Sequence, residues 1–249
     1  MLPRMRRCGN AGLIASGAAW QDIAPCNRMF RMALTLVIGN KNYSSWSMRP
    51  WLALKASNIA FEEVLIPLYT GDADKQRILQ FTRSGKVPAL VDGDITIWDS
   101  LAIIEYISER FPEAQLWPQD RASRAHARSV CAEMHSGFAA LRNECGMNLH
   151  RPVGAKALSA DARADIARIQ QSWAECRERY GKLGPYLFGA FSSADAMYAP
   201  VVHRFRTYAI DVTPEARAYM DAMMAFPAFQ EWTRAGLAET LVIEKAEVE

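Results

Sequence analysis

The chain has little of what redox and metal chemistry need. Its 249 residues include five cysteines and four histidines, with no Cys-x-x-Cys pair and no metal-type spacing. This excludes a two-thiol redox motif and a disulfide framework, and it points to a cytoplasmic setting with no metal site. No apolar run approaches the roughly 20 residues that cross a bilayer, so no membrane partner is expected. Internal repeats and low-complexity tracts are also missing. A basic body is lacking as well. The formal charge is +2, but residues 1–31 hold five arginines (Arg4, Arg6, Arg7, Arg28, Arg31) and one acid (Asp22), which leaves 24 basic and 26 acidic residues in the remainder. That remainder lacks the electrostatic footprint of a nucleic-acid binder.

Half of the residues are apolar, enough for two modest domains or one large one. Residues 1–31 read as a disordered or mis-started extension. An export or targeting segment is the alternative, although the apolar stretch Gly12–Trp20 is short and Met29 and Met32 lie just before the first strand-like run. From Leu34 the periodicity predicts a strand (34–39), a helix (48–56) and a second strand (61–66). A short helix (74–81), two strands around Asp92-Gly93 and a helix from Asp99 to Phe111 follow. The segment 111–118 contains Pro112 and Pro118 and reads as a connector. Beyond about residue 121 the strand signals stop and helical spacing takes over. One apolar stripe is Ile166, Ile169, Trp173, Cys176 and Tyr180, with Ser159 as its cap and Gly181 or Gly184 as its end. The predicted organisation is a compact α/β domain over 33–112 and an all-helical domain over 121–240.

Two local signals point to a ligand. Pro88 in Gly85-Lys86-Val87-Pro88-Ala89-Leu90-Val91 suits a rigid turn leading into a strand better than a strand interior. A cis Val87-Pro88 bond there turns the Val87 amide and carbonyl out of the sheet, free to pair with a small peptide. Asp99-Ser100 then precedes a helical apolar run and reads as a cap and first turn, where spare amide donors attract carboxylates. Together they suggest a site for a small acidic peptide. A third signal, Ser192-Ser-Ala-Asp195, has the spacing of a reciprocal N-cap.

Four features stand in one order: the turn Ser44-Ser45-Trp46-Ser47-Met48-Arg49-Pro50-Trp51, the Val87-Pro88 turn, the Asp99-Ser100 pair and the Ser192-to-Asp195 cap. In these the chain resembles the glutathione transferase superfamily over roughly residues 34 to 240. The resemblance implies a thioredoxin-like α/β N-terminal domain, an all-α C-terminal domain, a homodimer, and glutathione as cosubstrate with no permanently bound cofactor. The serine turn is most similar to the zeta-like, serine-dependent branch. Zeta-type maleylacetoacetate isomerases carry a cysteine where Trp46 stands, which argues against the isomerase activity.

The implied activity is a glutathione S-transferase that stabilises the thiolate with a serine hydroxyl and adds it to small hydrophobic electrophiles. Ser44 is the first candidate and Ser45 the second, with Ser47 better placed as a helix cap. The resemblance gives Val87, next to Pro88, the cysteinyl backbone of glutathione, and Asp99 with Ser100 its γ-glutamyl end. Lys86 is a candidate for the glycyl carboxylate, and Trp46 borders the ligand. Arg49 has two readings, facing the ligand or domain interface, or serving as a structural ion-pair partner. The electrophile pocket is placed against the first long helix of the second domain, with Trp46, Met134, His135, Phe138 and Arg142 as candidates. Met134, Phe138, Leu141 and Cys145 share one helical face that also reads as core. A glutathione-dependent isomerase or dehalogenase, and a non-catalytic glutathione-binding module, are the alternatives.

Overall fold

The computed structural model describes residues 34–247, so the expected extension over residues 1–31, with Cys8 and Cys26, lies outside the described residues. The chain begins with β1 (Leu34–Ile38), α1 (Ser45–Ala56), β2 (Phe61–Leu65), α2 (Asp72–Leu79), β3 (Ala89–Asp92), β4 (Ile95–Trp98) and α3 (Ser100–Arg110). Helices follow: α4 (Arg121–Ser136), α5 (Ala139–Glu144), α6 (Ala160–Tyr180), α7 (Ser193–Thr207), α8 (Pro214–Ala225) and α9 (Pro227–Leu237). This is the expected α/β layer followed by an all-helical part.

The sheet order is β2-β1-β3-β4. β1 and β2 are parallel, joined through α1, whereas β3 runs antiparallel to β1, pairing Leu36 with Leu90, and β4 antiparallel to β3. Strand alternation sorts β1 onto two faces. Leu34, Leu36 and Ile38 join the main core with α1, α3 and the helical part, while Val37 packs with Ile66, Ile78 and Ala89 under α2.

Two helices are buried nearly all round. In α1 every residue from Ser47 to Leu54 is buried, and in α7 every residue except Arg206. A helix enclosed on all sides needs no polar face, which explains the small and apolar run Ala194, Ala196, Met197, Ala199, Val201, Val202. α7 is anchored by a buried capping box. Asp195 Oδ2 accepts from Ser192 N at 2.8 Å and Ser192 Oγ at 2.9 Å, and Oδ1 accepts from Leu187 N at 3.0 Å.

Two sequence expectations need correction. α1 begins at Ser45 and its N-cap is Ser44, so Ser47 lies inside the first turn, fully buried. The cap moves because Ser47 Oγ is used beneath the sheet end, where it accepts from Gly39 N at 3.1 Å. The second correction concerns the single long helix expected across residues 134–145. The chain breaks between α4 and α5 at Gly137 and Phe138, the latter at φ 56. α6 keeps its expected limits, with Ser159 as N-cap and Gly181 as C-cap.

Candidate functional site

Tight turns from Asn40 to Ser45 carry the chain from β1 into α1 and present Ser44 and Ser45 at the helix start. Tyr43 N and Ser44 N both donate to Asn40 O, at 3.2 and 2.8 Å. Ser44 Oγ accepts weakly from Ser47 N at 3.4 Å and donates to Ser47 Oγ at 2.7 Å. Ser45 Oγ accepts from Arg204 Nη2 at 3.3 Å, and Arg204 Nε donates to the Cys145 carbonyl at 2.8 Å. The first turn of α1 holds no acidic residue. Its dipole end therefore keeps its positive potential for an external anion.

Beside this turn lie two neighbouring cavities that share Trp46, Lys86 and Val87. The smaller, about 500 Å³, is also lined by Ser84, Pro88, Trp98, Asp99 and Ser100. Val87 precedes the β3 ladder, and the Val87-Pro88 bond is cis. Asp99 caps α3 from a left-handed backbone, φ 79, a conformation that is costly for a non-glycine residue and clusters at functional sites. Its Oδ1 accepts from Leu101 N at 2.9 Å and Ala102 N at 3.2 Å, and its Oδ2 lies 3.2 Å from His135 Nε2. The cap reading and the ligand reading of Asp99 thus use different oxygens. Ser100 is buried, and its Oγ accepts from Arg49 Nη1 at 3.4 Å, leaving the hydroxyl proton free to donate.

The larger cavity, about 1020 Å³, is bounded by Ser44, Ser45, Trp46, Arg142, Met147 and Arg204 among others. Residues beyond α9 help to close it. Ile243 and Ala246 reach its wall, while Glu247 accepts from Tyr43 OH at 2.5 Å and from Asn148 Nδ2 at 2.9 Å.

Of the expected pocket residues, Trp46 and Arg142 line a cavity, and Trp46 lines both. His135 lines neither but touches the site edge-on, 5.3 Å from the Trp46 ring. Met134 and Phe138 are buried in the main core together with Leu141 and Cys145, so these residues pack the core on either side of the break and do not line the site. Lys86 is exposed at the rim between the cavities.

Arginines dominate the electrostatics. The Arg49 guanidinium lies 4.2 Å from the Trp46 ring centre and that of Arg142 5.6 Å from it. Arg49 and Arg204 are buried, and burial first, then their neighbouring guanidinium groups, lowers Arg49 to about 9 and Arg204 to about 10. Among the described residues neither has a carboxylate within ion-pair distance, so Arg49 is not the structural ion-pair partner that one reading expected. Arg204 was not anticipated. Its signal was a basic residue set in the apolar run Ala199-Pro-Val-Val-His-Arg204-Phe. The free thiols Cys131, Cys145 and Cys176 are all buried, and burial raises Cys145 to about 11 and Cys176 to about 12. They are protonated and take no part in thiolate chemistry.

The chain matches the family model for the glutathione S-transferase N-terminal domain over residues 43–110 and that for the C-terminal domain over residues 154–235. It is 30% identical to glutathione S-transferase Z2 of Arabidopsis thaliana, over 76% of this chain and 88% of that protein. It is 33% identical to maleylacetoacetate isomerase of Rattus norvegicus, over 75% of this chain and 85% of that one. Among solved structures, a Burkholderia glutathione transferase homologue with bound glutathione shares the fold, with a TM-score of 0.64 and 23% identity, covering 83% of this chain and all of that one. The domain matches, the long alignments to zeta-class relatives and the serine turn facing a cis-proline and an Asp-Ser cap place this chain in the glutathione S-transferase family.

Proposed function

We propose that the chain binds glutathione across the two cavities and uses its thiolate as the nucleophile toward an electrophile in the larger one. The observation that carries this reading is the pair of hydroxyls at an acid-free helix start, set between a γ-glutamyl-type frame (Asp99, Ser100, Val87) and a second, larger space. Asp99 Oδ2 accepts from the ligand ammonium, and the Ser100 hydroxyl donates to its α-carboxylate. Val87 pairs with the cysteinyl backbone, and Lys86 meets the glycyl carboxylate. By its place in the turn Ser44 is the first donor to the sulfur, once its hydroxyl proton turns from Ser47 Oγ to the ligand; Ser45, whose Oγ only accepts, from Arg204, is second. A thiol pKa lowered by about two units needs about 3 kcal/mol of preferential anion stabilisation. One hydroxyl donor to a charged sulfur gives about 1.5–3 kcal/mol, and the helix end gives up to about 1 kcal/mol. These two terms suffice.

Two reactions fit. In conjugation the sulfur adds to the electrophile and glutathione is consumed. In cis-trans isomerisation it adds to a conjugated double bond, the resulting single bond rotates, and elimination restores the double bond and the thiolate, so glutathione is not consumed. The isomerase reading is supported at least as strongly, because Arg142 and Arg204 line the larger cavity, have no carboxylate within ion-pair distance among the described residues, and suit a carboxylate-bearing electrophile. Trp46 in place of the zeta-type cysteine removes no step from this route, since the attacking sulfur belongs to glutathione. The homodimer and the domain division at about residues 112–121 belong to the same reading.

The test is to incubate the purified protein with glutathione and either a chloronitrobenzene or a cis-enone diacid, following product and free thiol together. Thiol loss matching product indicates a transferase, and isomerised diacid with thiol conserved indicates an isomerase. Glutathione binding without turnover of either contradicts the catalytic reading and favours a binding module.

A further inference from the structure

We propose that Arg49 is a positioning residue for the thiol: its buried guanidinium, with no carboxylate within ion-pair distance among the described residues, holds glutathione's sulfur in the thiolate form through its field, without touching the sulfur. This deepens the glutathione reading above and rests on it.

Arg49 is fully buried. Among the described residues its Nε has no hydrogen-bond partner, its Nη1 makes a long bond of 3.4 Å to Ser100 Oγ, and its Cζ lies 4.2 Å from the centre of the Trp46 ring. A guanidinium removed from water without an opposing charge is destabilised in proportion to its isolation. Two more guanidinium groups close by make it worse, and the contacts that favour the cation, the Trp46 ring and the Ser100 hydroxyl, do not make up for the burial.

The charged and titratable groups facing Arg49 come from four elements. Arg204 on α7 and Arg142 on α5 oppose its charge, Asp99 at the α3 cap favours it, less strongly than burial disfavours it, and Cys131 on α4 is a protonated thiol that carries no charge. Asp99 is the one carboxylate of the group; its Oδ1 serves the two cap amides, and its Oδ2, beside His135, is the oxygen that meets the ligand ammonium in the glutathione reading. Three guanidinium groups therefore face one carboxylate, and the cluster carries a net positive charge.

Geometry says where a compensating anion belongs. Ser45 and Arg49 are four residues apart on α1, and so lie on one face, neighbours along the helix. Ser45 Oγ already accepts from Arg204. An anion held by the serine turn sits about one helical turn from Arg49, and because Arg49 is fully buried its side of that path runs through protein, where charges are screened less than in water. On the other side, the bond from Arg49 to Ser100 turns that hydroxyl proton outward toward the γ-glutamyl site. The same cation thus favours both negative ends of the tripeptide that face it.

A purely structural alternative exists, in which Arg49 only ties α1 to α3. The two differ in what they do to the bound thiol. Ultraviolet titration of thiolate absorbance on the full-length protein saturated with glutathione, for wild type, Arg49→Gln, Arg49→Met and Arg49→Lys, separates them. The expected result is a rise of about one unit in the bound thiol pKa for both neutral variants, a tenfold loss of thiolate below that pKa, with most of the shift restored by lysine. Neutral variants that bind glutathione with an unmoved thiol pKa overturn the proposal, as does a lysine variant no better than glutamine. Failure of both neutral variants to fold also overturns it, because Arg49 is then needed for structure alone, as does a folded neutral variant whose lost glutathione binding the lysine variant does not restore. A wild-type protein whose bound thiol ionises at its free value overturns the parent reading, and this inference with it.

Discussion

Glu239 tests whether the loop that presents the serine turn is held in place from the far end of the chain. Just past α9, its carboxylate accepts from Lys41 N at 2.6 Å and from Asn42 N at 3.0 Å. The same loop is fixed by Trp232 Nε1 on the Lys41 carbonyl at 3.1 Å and by Asn42 Oδ1, which accepts from Leu149 N at 2.6 Å. Each bond to a charged acceptor contributes about 1.5–3 kcal/mol when water is kept out. Glu239 is only partly buried, so water replaces some of this in the Glu239→Ala variant, and the expected cost is about 3 kcal/mol. Glu239→Gln keeps one strong acceptor oxygen and should lose about half as much. For a chain of this size that corresponds to about 6–12 °C in Tm for alanine. Urea unfolding followed by tryptophan fluorescence measures it, as a shift in midpoint at unchanged slope. An alanine variant within about 0.5 kcal/mol of wild type, the range of an ordinary surface change, refutes the reasoning.

Gly236 lets α9 approach the same loop, since a Cβ there would lie 2.5 Å from Leu149 Cδ1 and 3.1 Å from the Lys41 carbonyl carbon. Gly236→Ala should weaken glutathione binding measured by calorimetry, and unchanged affinity argues against the contact's importance. Asp195→Ala strips the acceptor from two buried amides and a hydroxyl, at about 1–3 kcal/mol each when left unpaired, so a loss of more than about 3 kcal/mol is expected in urea unfolding. The acid limb reports on His203, which burial first, then Arg206 and Arg204, pushes down to about 3. It stays neutral in the folded chain while the unfolded chain takes up a proton below about 6.5, so stability falls as pH drops from 6.5 toward 3. Asp195, which burial raises to about 6, acts with the opposite sign between pH 6 and its unfolded value. His203→Leu should therefore lose less stability than wild type between pH 7 and 5, by about 2 kcal/mol for 1.5 units, and equal losses contradict the assignment.

Local chemistry was legible in the sequence wherever a few adjacent residues decide the outcome. The strand and helix order came from periodicity, Asp99 as a cap from its place before an apolar run, and the Ser192-Asp195 box from its spacing. The start of α1 was misplaced because Ser44, Ser45 and Ser47 are equally good caps by type. Only the distant Gly39 amide, which engages Ser47 Oγ, decides among them. The break at Gly137-Phe138 was hidden because the apolar spacing continues across it. Arg204 and Glu239 reach the serine turn from about 160 and 200 residues away, and no local pattern encodes such contacts. The isolation of Arg49 was equally invisible, since sequence shows a charge but not the absence of its partner.

The most direct test of the thiolate account is the ultraviolet titration of glutathione bound to the wild-type protein beside Ser44→Ala and Ser45→Ala. The account predicts a bound thiol ionising about two units below its free value, with most of that shift lost in one of the two variants, Ser44→Ala being the first candidate. Glutathione bound with an unshifted thiol, or a shift that survives both substitutions, contradicts it.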